Sequence, residues 1–194
     1  MHFDGLCRRL GAVDPQPLRD ALDALGEEPW YEYQRRQQTF KVHAPTQTIL
    51  LIYDEDMRHA NVTVQPWFAP LQPVLQPVLD LIAADYERPG ANLGYFNRLM
   101  LTRLDPNSVI PRHRDGGPSL LRSHRHHIPI VTNPLVEFDV GDETNHFAAG
   151  EVWEINNRQP HEVRNLSDVS RVHLIADYVV PGERIDDPEG TVFA

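Results

Sequence analysis

The segment from residue 95 to residue 180 constrains the fold most, because it alternates short runs of strand-forming residues with short groups of turn residues. The groups DPNS, DGGPS, TNP, AAGE and NNRQP each supply the Gly, Pro, Asn or Asp that tight turns require. This pattern is typical of an antiparallel sandwich or barrel. The predicted core strands suit a jelly roll and cover residues 98–104, 109–113, 125–131, 135–140, 144–147, 151–155, 161–165 and 171–180.

The residues near the N-terminus predict one helix and one further strand. Leu18, Leu22 and Leu25 recur at helical spacing, so residues 14–27 are expected to form a short amphipathic helix. The run QTILLIYD, residues 47–54, is short, apolar and bounded by turn residues, which predicts a buried strand.

A longer helix is predicted over residues 66–86, where apolar residues form a broad stripe. We expect Pro70, Pro73 and Pro77 to interrupt its first half, because an interior proline removes a backbone donor and clashes with the preceding turn. The breaker-rich stretch 88–92 suggests a boundary within one structural domain. The predicted parts are an N-terminal helical and strand elaboration over residues 1–92, a catalytic core over residues 93–180 and an extended tail over residues 181–194.

The segment IPRHRDGG carries a possible metal-binding pair. His113 and Asp115 are two residues apart, so on an extended backbone their side chains leave the same face and can converge on one ion. His161, in QPHEVRN, would be the third ligand. Two histidines and one carboxylate with open coordination positions form the facial triad of non-haem Fe(II) oxygenases. The order of these ligands suits a mainly β protein with flanking N-terminal helices and a double-stranded β-helix core, which is the jelly-roll or cupin-like architecture.

An Fe(II) oxygenase that uses 2-oxoglutarate must also hold the far carboxylate of this co-substrate. Arg171 begins the last predicted core strand, ten residues after His161, and a guanidinium can bind a carboxylate through two hydrogen bonds. Thr102 is expected to add a hydroxyl bond to the same carboxylate.

The second carboxylate of the co-substrate needs a donor pair nearer the metal. Arg125 and His127 share one face of the run HRHHIPIV and are predicted to meet this proximal carboxylate. Arg122 and His124 have the same spacing and are the alternative. We favour Arg125 and His127 because they lead directly into a strand.

The composition of the chain limits the classes of partner that it is expected to bind. The formal net charge of −10 argues against nucleic acid and against membrane surfaces, since both favour basic proteins. No apolar run reaches 18 residues, and the N-terminus has no apolar signal-peptide region. Cys7 is the single cysteine, which fits a reducing compartment. We therefore expect a soluble cytoplasmic protein whose partner is a small-molecule amino acid, a peptide or a protein substrate.

Three pieces of the core occur in an order that resembles a known family: HRD, then RHHIPIVTNP, then GEVWEINNRQPHEVRNLSDVSRVHLIADY. Together they look like the aspartyl/asparaginyl β-hydroxylase family of Fe(II)/2-oxoglutarate dioxygenases, which includes relatives that act on free proline. The resemblance covers residues 100–178 and implies Fe(II), 2-oxoglutarate and O₂ as cofactors. It implies His113, Asp115 and His161 on iron. It also implies Arg171 with Thr102 on the distal carboxylate, and Arg125 with His127 on the proximal one.

The resemblance implies hydroxylation of an unactivated C–H bond, with no side chain required as a catalytic acid or base. The animal members that modify EGF-like domains lack the carboxylate ligand that Asp115 would supply, so their substrate does not carry over directly. An aspartyl or asparaginyl residue in a peptide, free proline and another small amino acid remain open as substrates. The alternatives are a cupin-like metal sensor or binding module without turnover, and a metal-dependent isomerase or a different dioxygenase on the same fold.

Overall fold

Two antiparallel sheets form the centre of the protein in a computed structural model that describes residues 5–88 and 93–183. The strands are β1 Cys7–Ala12, β2 Thr46–Tyr53, β3 Thr63–Val64, β4 Tyr95–Leu104, β5 Ser108–His113, β6 His124–Val131, β7 Val136–Val140, β8 Glu143–Asn145, β9 Glu151–Ile155, β10 His161–Asn165 and β11 Arg171–Val179. The helices are α1 Gln16–Leu25, α2 Pro29–Glu32, α3 Arg35–Thr39, α4 Phe68–Tyr86 and α5 Pro118–Leu121, with a 3₁₀ turn over Lys41–His43.

The larger sheet has the strand order β1-β9-β6-β11-β4-β2-β3, and the smaller sheet has the order β5-β10-β7-β8. Apolar side chains from both sheets, among them Leu104, Phe138, Ile155 and Val163, pack together and form the core between them. The predicted mainly β fold with a double-stranded β-helix core is therefore confirmed. Each of the eight predicted core strands is present, with its ends shifted by at most three residues.

The N-terminal residues extend the larger sheet at both ends. Strand β1 pairs with β9, and β2 pairs with β4. The N-terminal strands are therefore hydrogen-bonded to the core strands at both ends of the larger sheet. The pattern of CRRLGA did not predict β1, because its polar and small residues do not alternate with apolar ones. Residues 89–92, which include the predicted boundary, and residues 184–194 of the predicted tail lie outside the described residues, so the division into three parts stays a prediction.

Helix α4 differs from its prediction because it continues through Pro73 and Pro77 without interruption. Both prolines lie on the exposed face, and Pro70 lies in the first turn, where a backbone donor has no helical partner. The opposite face packs against the larger sheet and against α1, and each buried leucine or isoleucine contributes about 1.5–3 kcal/mol. The buried residues of this face are Leu71, Leu75, Val78, Leu79 and Ile82. Their burial outweighs the cost of about 3 kcal/mol for each interior proline.

A buried polar network joins β1, β6, β9 and α4 on the helix side of the larger sheet. Glu154 accepts hydrogen bonds from Arg8 Nε and from His124 Nδ1, the latter at 2.5 Å. Arg8 also donates to Asp85. Burial raises the pKa of Glu154, but the hydrogen bond from His124 and the charges of the neighbouring histidines and Arg8 outweigh it and lower this pKa to about 2. The carboxylate is therefore held ionised within the fold.

Replacing Glu154 with Gln is expected to reduce the free energy of unfolding by about 3 kcal/mol at pH 7, because the lowered pKa measures how strongly folding favours the ionised form. A lowered pKa stabilises the fold above the unfolded value of 4.5 and loses this effect as the pH falls through about 2. The difference between wild type and variant should therefore disappear towards pH 2, as measured by urea unfolding between pH 2 and pH 7. Glu28→Gln, at an exposed position, is the control. An equally stable Glu154→Gln variant at pH 7 would contradict this expectation.

Candidate active site

His113, Asp115 and His161 converge at one end of the smaller sheet. His113 ends β5 and lies opposite His161 in the register of β10, while Asp115 follows in the loop after β5. One ligand atom from each residue lies within 4.8 Å of the others. Asp115 Oδ2 is 3.6 Å from His161 Nε2, and Asp115 Oδ1 is 3.9 Å from His113 Nε2. The structure thus brings the three predicted ligands together around a space that suits one metal ion.

Backbone hydrogen bonds orient both imidazoles of this group in the same way. His113 Nδ1 lies 2.7 Å from the carbonyl oxygen of Pro111, and His161 Nδ1 lies 3.0 Å from that of Gln159. A carbonyl accepts only from a protonated nitrogen, so each Nδ1 carries a hydrogen, and in the neutral form of the ring each Nε2 has a lone pair directed at the shared space. A metal-binding histidine is commonly fixed by such a hydrogen bond on its second nitrogen.

Arg125 joins the loop of Asp115 to the last core strand. Its Nη1 donates to Asp115 Oδ2 at 2.5 Å, while its Nε and Nη2 donate to the two carboxylate oxygens of Asp177 at 2.8 and 2.7 Å. Burial raises the pKa of Asp115, but the charge of Arg125 and the two neighbouring histidines outweigh this and hold that pKa well below its usual range. Asp115 is therefore an ionised carboxylate, which is the form that binds a metal.

A small inner cavity lies beside the three converging residues, with an empty volume of about 370 Å³. Arg171 lines it and is only 1% exposed, yet no described residue offers its guanidinium a carboxylate or a hydrogen bond. Burial, and then the charge of Arg36, lowers the pKa of Arg171 to about 9, so the side chain remains a cation at neutral pH. Thr102, on the neighbouring strand, directs a buried hydroxyl into the same region, and no described residue forms a hydrogen bond with it. These groups form a cationic corner that no carboxylate of the described residues neutralises.

Alternate residues of β6 face opposite sides of the larger sheet. Arg125 and His127 line the inner cavity, whereas His124 and His126 contact Glu154 and Tyr86 on the helix side. His127 is buried, and burial followed by the charge of Arg171 holds its pKa well below the usual value, so its imidazole is neutral. Of the two predicted donor pairs, Arg125 with His127 is therefore the one that lies beside the three predicted metal ligands.

An outer cavity with an empty volume of about 700 Å³ adjoins the inner one and shares several lining residues with it. The N-terminal residues Arg36 and His43 line both cavities. From the sequence, a solvated charge pair is the favoured interpretation of Arg35 and Arg36, ahead of a position at the substrate entrance, and the structure instead places Arg36 in the walls of both cavities. His43 carries no prediction, because the neighbouring α3 is five residues long and shows no helical period. The salt bridge between Arg125 and Asp177 was not predicted either, although Asp177 was placed on the same face of β11 as Arg171.

The fold defined by these strands is that of the 2-oxoglutarate and Fe(II) oxygenases. A Burkholderia pseudomallei oxidoreductase of the 2OG-Fe(II) oxygenase family is similar, with a TM-score of 0.53 and 17% identity over 69% of this chain and 66% of its own. A Paramecium bursaria Chlorella virus collagen prolyl hydroxylase has a TM-score of 0.57 and 7% identity, over 91% and 97% of the two chains. A Pseudomonas putida prolyl-4-hydroxylase has a TM-score of 0.51 and 14% identity, over 92% and 95%.

The sequence of the core is similar to a known family. The model of the aspartyl/asparaginyl β-hydroxylase family matches residues 86–181, a segment that contains all the predicted metal and co-substrate residues. This match covers just under half of the chain and agrees with the predicted resemblance of the core to that family, and the predicted class of enzyme, a hydroxylase, is confirmed. No curated protein matches the sequence. Among the described residues, no helix is both long and apolar enough to cross a membrane.

Replacing Asp177 with Asn is expected to lower the free energy of unfolding by about 3–5 kcal/mol, because it removes one partner of a buried ion pair. Asp177 is 0% exposed and holds two of the three hydrogen bonds of Arg125. Chemical denaturation at neutral pH measures the loss. Asp168→Asn, at an exposed position shortly before β11, serves as the control. A change in Asp177→Asn no larger than that of the control would mean that the pair does not hold this region together.

Proposed function

We propose that this protein is an Fe(II)- and 2-oxoglutarate-dependent dioxygenase that hydroxylates a C–H bond of an amino acid, either free or within a peptide. The observation that carries the proposal is the close approach of a two-histidine, one-carboxylate group to a buried arginine that has no acidic partner among the described residues. The first feature suits a metal ion and the second suits a dianionic co-substrate.

The donor set of His113, Asp115 and His161 fits Fe(II). Two neutral imidazole nitrogens and one carboxylate are the ligands of the non-haem Fe(II) oxygenases, which leave the remaining coordination positions open. Burial lowers the pKa of His161, and this favours the neutral form that a metal requires. When bound, the Fe(II) centre supplies the activation of O₂ that couples decarboxylation of 2-oxoglutarate to hydroxylation of the substrate.

The inner cavity fits 2-oxoglutarate because its far end is cationic and unsatisfied. A buried guanidinium without a counterion is costly, so the Arg171 side chain is suited to receive a carboxylate from a ligand. The hydroxyl of Thr102 adds a second donor for the same carboxylate. At the metal end, the neutral His127 offers a ring nitrogen to the proximal carboxylate. Arg125 lies beside it and also fixes the orientation of Asp115.

The substrate assignment rests on two lines of support. The family name points to aspartyl or asparaginyl residues. Two similar folds are called a collagen prolyl hydroxylase and a prolyl-4-hydroxylase, which supports proline, free or in a chain. A metal-binding module without turnover is the alternative function. It is disfavoured by Arg171, since a protein that only holds a metal does not need a buried cation beside it.

An anaerobic titration of the metal-free protein with Fe(II) and then 2-oxoglutarate tests the proposal directly. Chelation of Fe(II) by the 2-oxo acid produces a weak visible charge-transfer band. Appearance of this band is the expected result, followed by release of succinate once O₂ is admitted. Iron binding without the band would favour the metal-binding module, and absence of iron binding would remove the three ligands from consideration.

Replacing His161 with Ala is expected to abolish tight Fe(II) binding while leaving the fold intact, because only one of the two imidazoles then remains. Metal content after equilibration with Fe(II) under anaerobic conditions measures the loss, and circular dichroism checks the fold. His146→Ala is the matched control, since that histidine is exposed and hydrogen-bonded to the Val136 carbonyl, outside the metal-binding group. Iron bound at the wild-type level by His161→Ala would remove this residue from the ligand set.

Replacing Arg171 with Met should have opposite effects on 2-oxoglutarate binding and on stability. The concentration of 2-oxoglutarate that half-saturates the visible band should rise by at least about 100-fold, because a charge-assisted pair is lost. The free energy of unfolding of the metal-free protein should stay equal or increase, since an unpaired buried charge is replaced by an apolar side chain of similar length.

Arg103→Gln is the control for this variant, because Arg103 lies on β4 and is already paired with Glu27. A large loss of stability together with unchanged 2-oxoglutarate binding in Arg171→Met would mean that Arg171 has a structural role instead.

A further inference from the structure

Arg36 stands out among the arginines that line the two cavities. Arg98 is paired with Asp54, and Arg125 is paired with Asp115 and Asp177. Arg36 and Arg171 are the two buried guanidinium groups in the cavity walls for which no described residue supplies a carboxylate. Under the proposed function, 2-oxoglutarate neutralises Arg171. No part of that co-substrate is assigned to Arg36.

No described carboxylate forms a salt bridge with Arg36, although the charge of Asp115, which is paired with Arg125, acts on Arg36 and raises its pKa against the effect of burial. Arg36 Nη2 donates to His43 Nε2 at 3.1 Å, and the buried Nη1 of Arg36 has no hydrogen-bond partner among the described residues. Since His43 accepts at Nε2, the hydrogen of its neutral ring is on Nδ1, and this buried atom likewise has no partner in the part of the chain that the structure describes. Two unused donors therefore belong to neighbouring side chains, one of which is cationic.

The position of Arg36 separates it from the co-substrate residues. Arg171, Thr102 and His127 line the inner cavity alone, whereas Arg36 and His43 line both cavities and lie where the two meet beside His113 and Asp115. Away from this junction, the wall of the outer cavity includes Tyr53, Arg98 and Arg114 together with a set of apolar side chains. The apolar side chains are Phe40, Val42, Met57, Met100 and Leu120. Such a cavity suits a small ligand with one anionic end and an apolar body.

We infer that Arg36, supported by His43, binds a carboxylate of the substrate, so that the enzyme acts on a carboxylate-bearing amino acid held in the outer cavity. This inference rests on the proposed function. It assigns a substrate-recognition residue outside residues 86–181, the segment matched by the family model. The carboxylate is either the α-carboxylate of a free amino acid or the side-chain carboxylate of an aspartyl or glutamyl residue.

The test begins with the wild-type protein loaded anaerobically with Fe(II) and 2-oxoglutarate, and it follows the visible band while candidate ligands are added. The ligands are free L-amino acids, the corresponding α-amides, and aspartate and glutamate blocked at both the amino and the α-carboxyl group. At least one carboxylate-bearing ligand should perturb the band and stimulate succinate release in air, and its amide should not. A response to the free acid identifies the α-carboxylate, and a response to the blocked residues identifies the side-chain carboxylate.

The second part uses Arg36→Gln with Arg35→Gln as its matched control. Arg35 is the preceding residue of α3, is largely exposed and lies 3.9 Å from Glu55, so its replacement removes the same charge from the same helix outside the cavities. The concentration of the active acid that half-saturates the band change should rise by on the order of 10- to 100-fold in Arg36→Gln, the effect of losing a charge-assisted hydrogen-bonded pair. It should be unchanged in Arg35→Gln.

Three results would overturn the inference while leaving the proposed function standing. The first is an equal change of the band with the acid and with its amide, and the second is no change with any carboxylate-bearing ligand. The third is a rise in the 2-oxoglutarate concentration that Arg36→Gln requires, because this would assign the guanidinium to the co-substrate. Absence of the band in wild type would instead overturn the proposed function and this inference with it. If Arg36→Gln does not fold, the comparison of acid with amide on the wild-type protein decides.

Discussion

The site depends on the buried guanidinium of Arg125, which bridges Asp115 and Asp177. Asp115 lies in the loop that follows β5, a strand of the smaller sheet, whereas Asp177 lies on β11 in the larger sheet. One cation therefore links the carboxylate of Asp115, a predicted metal ligand, to a strand that is hydrogen-bonded on both sides. Removing any of the three charges leaves another buried and unbalanced. The position of this predicted ligand is thus coupled to the packing of the two sheets.

The arginines of the cavities fall into two groups with different physical roles. Arg98 and Arg125 are neutralised by carboxylates of the protein, so they hold the structure together whether or not a ligand is present. Arg36 and Arg171 are left without such partners within the described residues. Their burial lowers stability in the empty protein, and an anionic ligand can recover this energy on binding. We propose that the first group stabilises the walls of the site and that the second group binds anionic ligands there.

Sequence patterns predicted the parts of the fold that depend on local chemistry. The β-strands around His113 and His161 follow from alternation and turn residues, and the spacing of His113 and Asp115 is enough to suggest convergence. Features that depend on distant packing were not predictable. Helix α4 tolerates Pro73 and Pro77 because its other face is buried by the sheet, and the environment of Arg36 arises only when β2 and the preceding turn pack beside β4. Strand β1 is likewise formed by pairing with β9 rather than by its own residues.

Strand β6 carries charged and polar side chains on both of its faces, with Arg125 and His127 towards the cavities and His124 and His126 towards α4. A slip of one residue would exchange the faces. It would set the guanidinium against Glu154 and Tyr86 and deprive Asp115 and Asp177 of their cation. The hydrophobic pattern and the turns usually set the register of a strand. Here ionic partners on both faces also oppose a slip, so the contacts of His124 with Glu154 on the helix side help to fix the alignment of Arg125 and His127 on the cavity side.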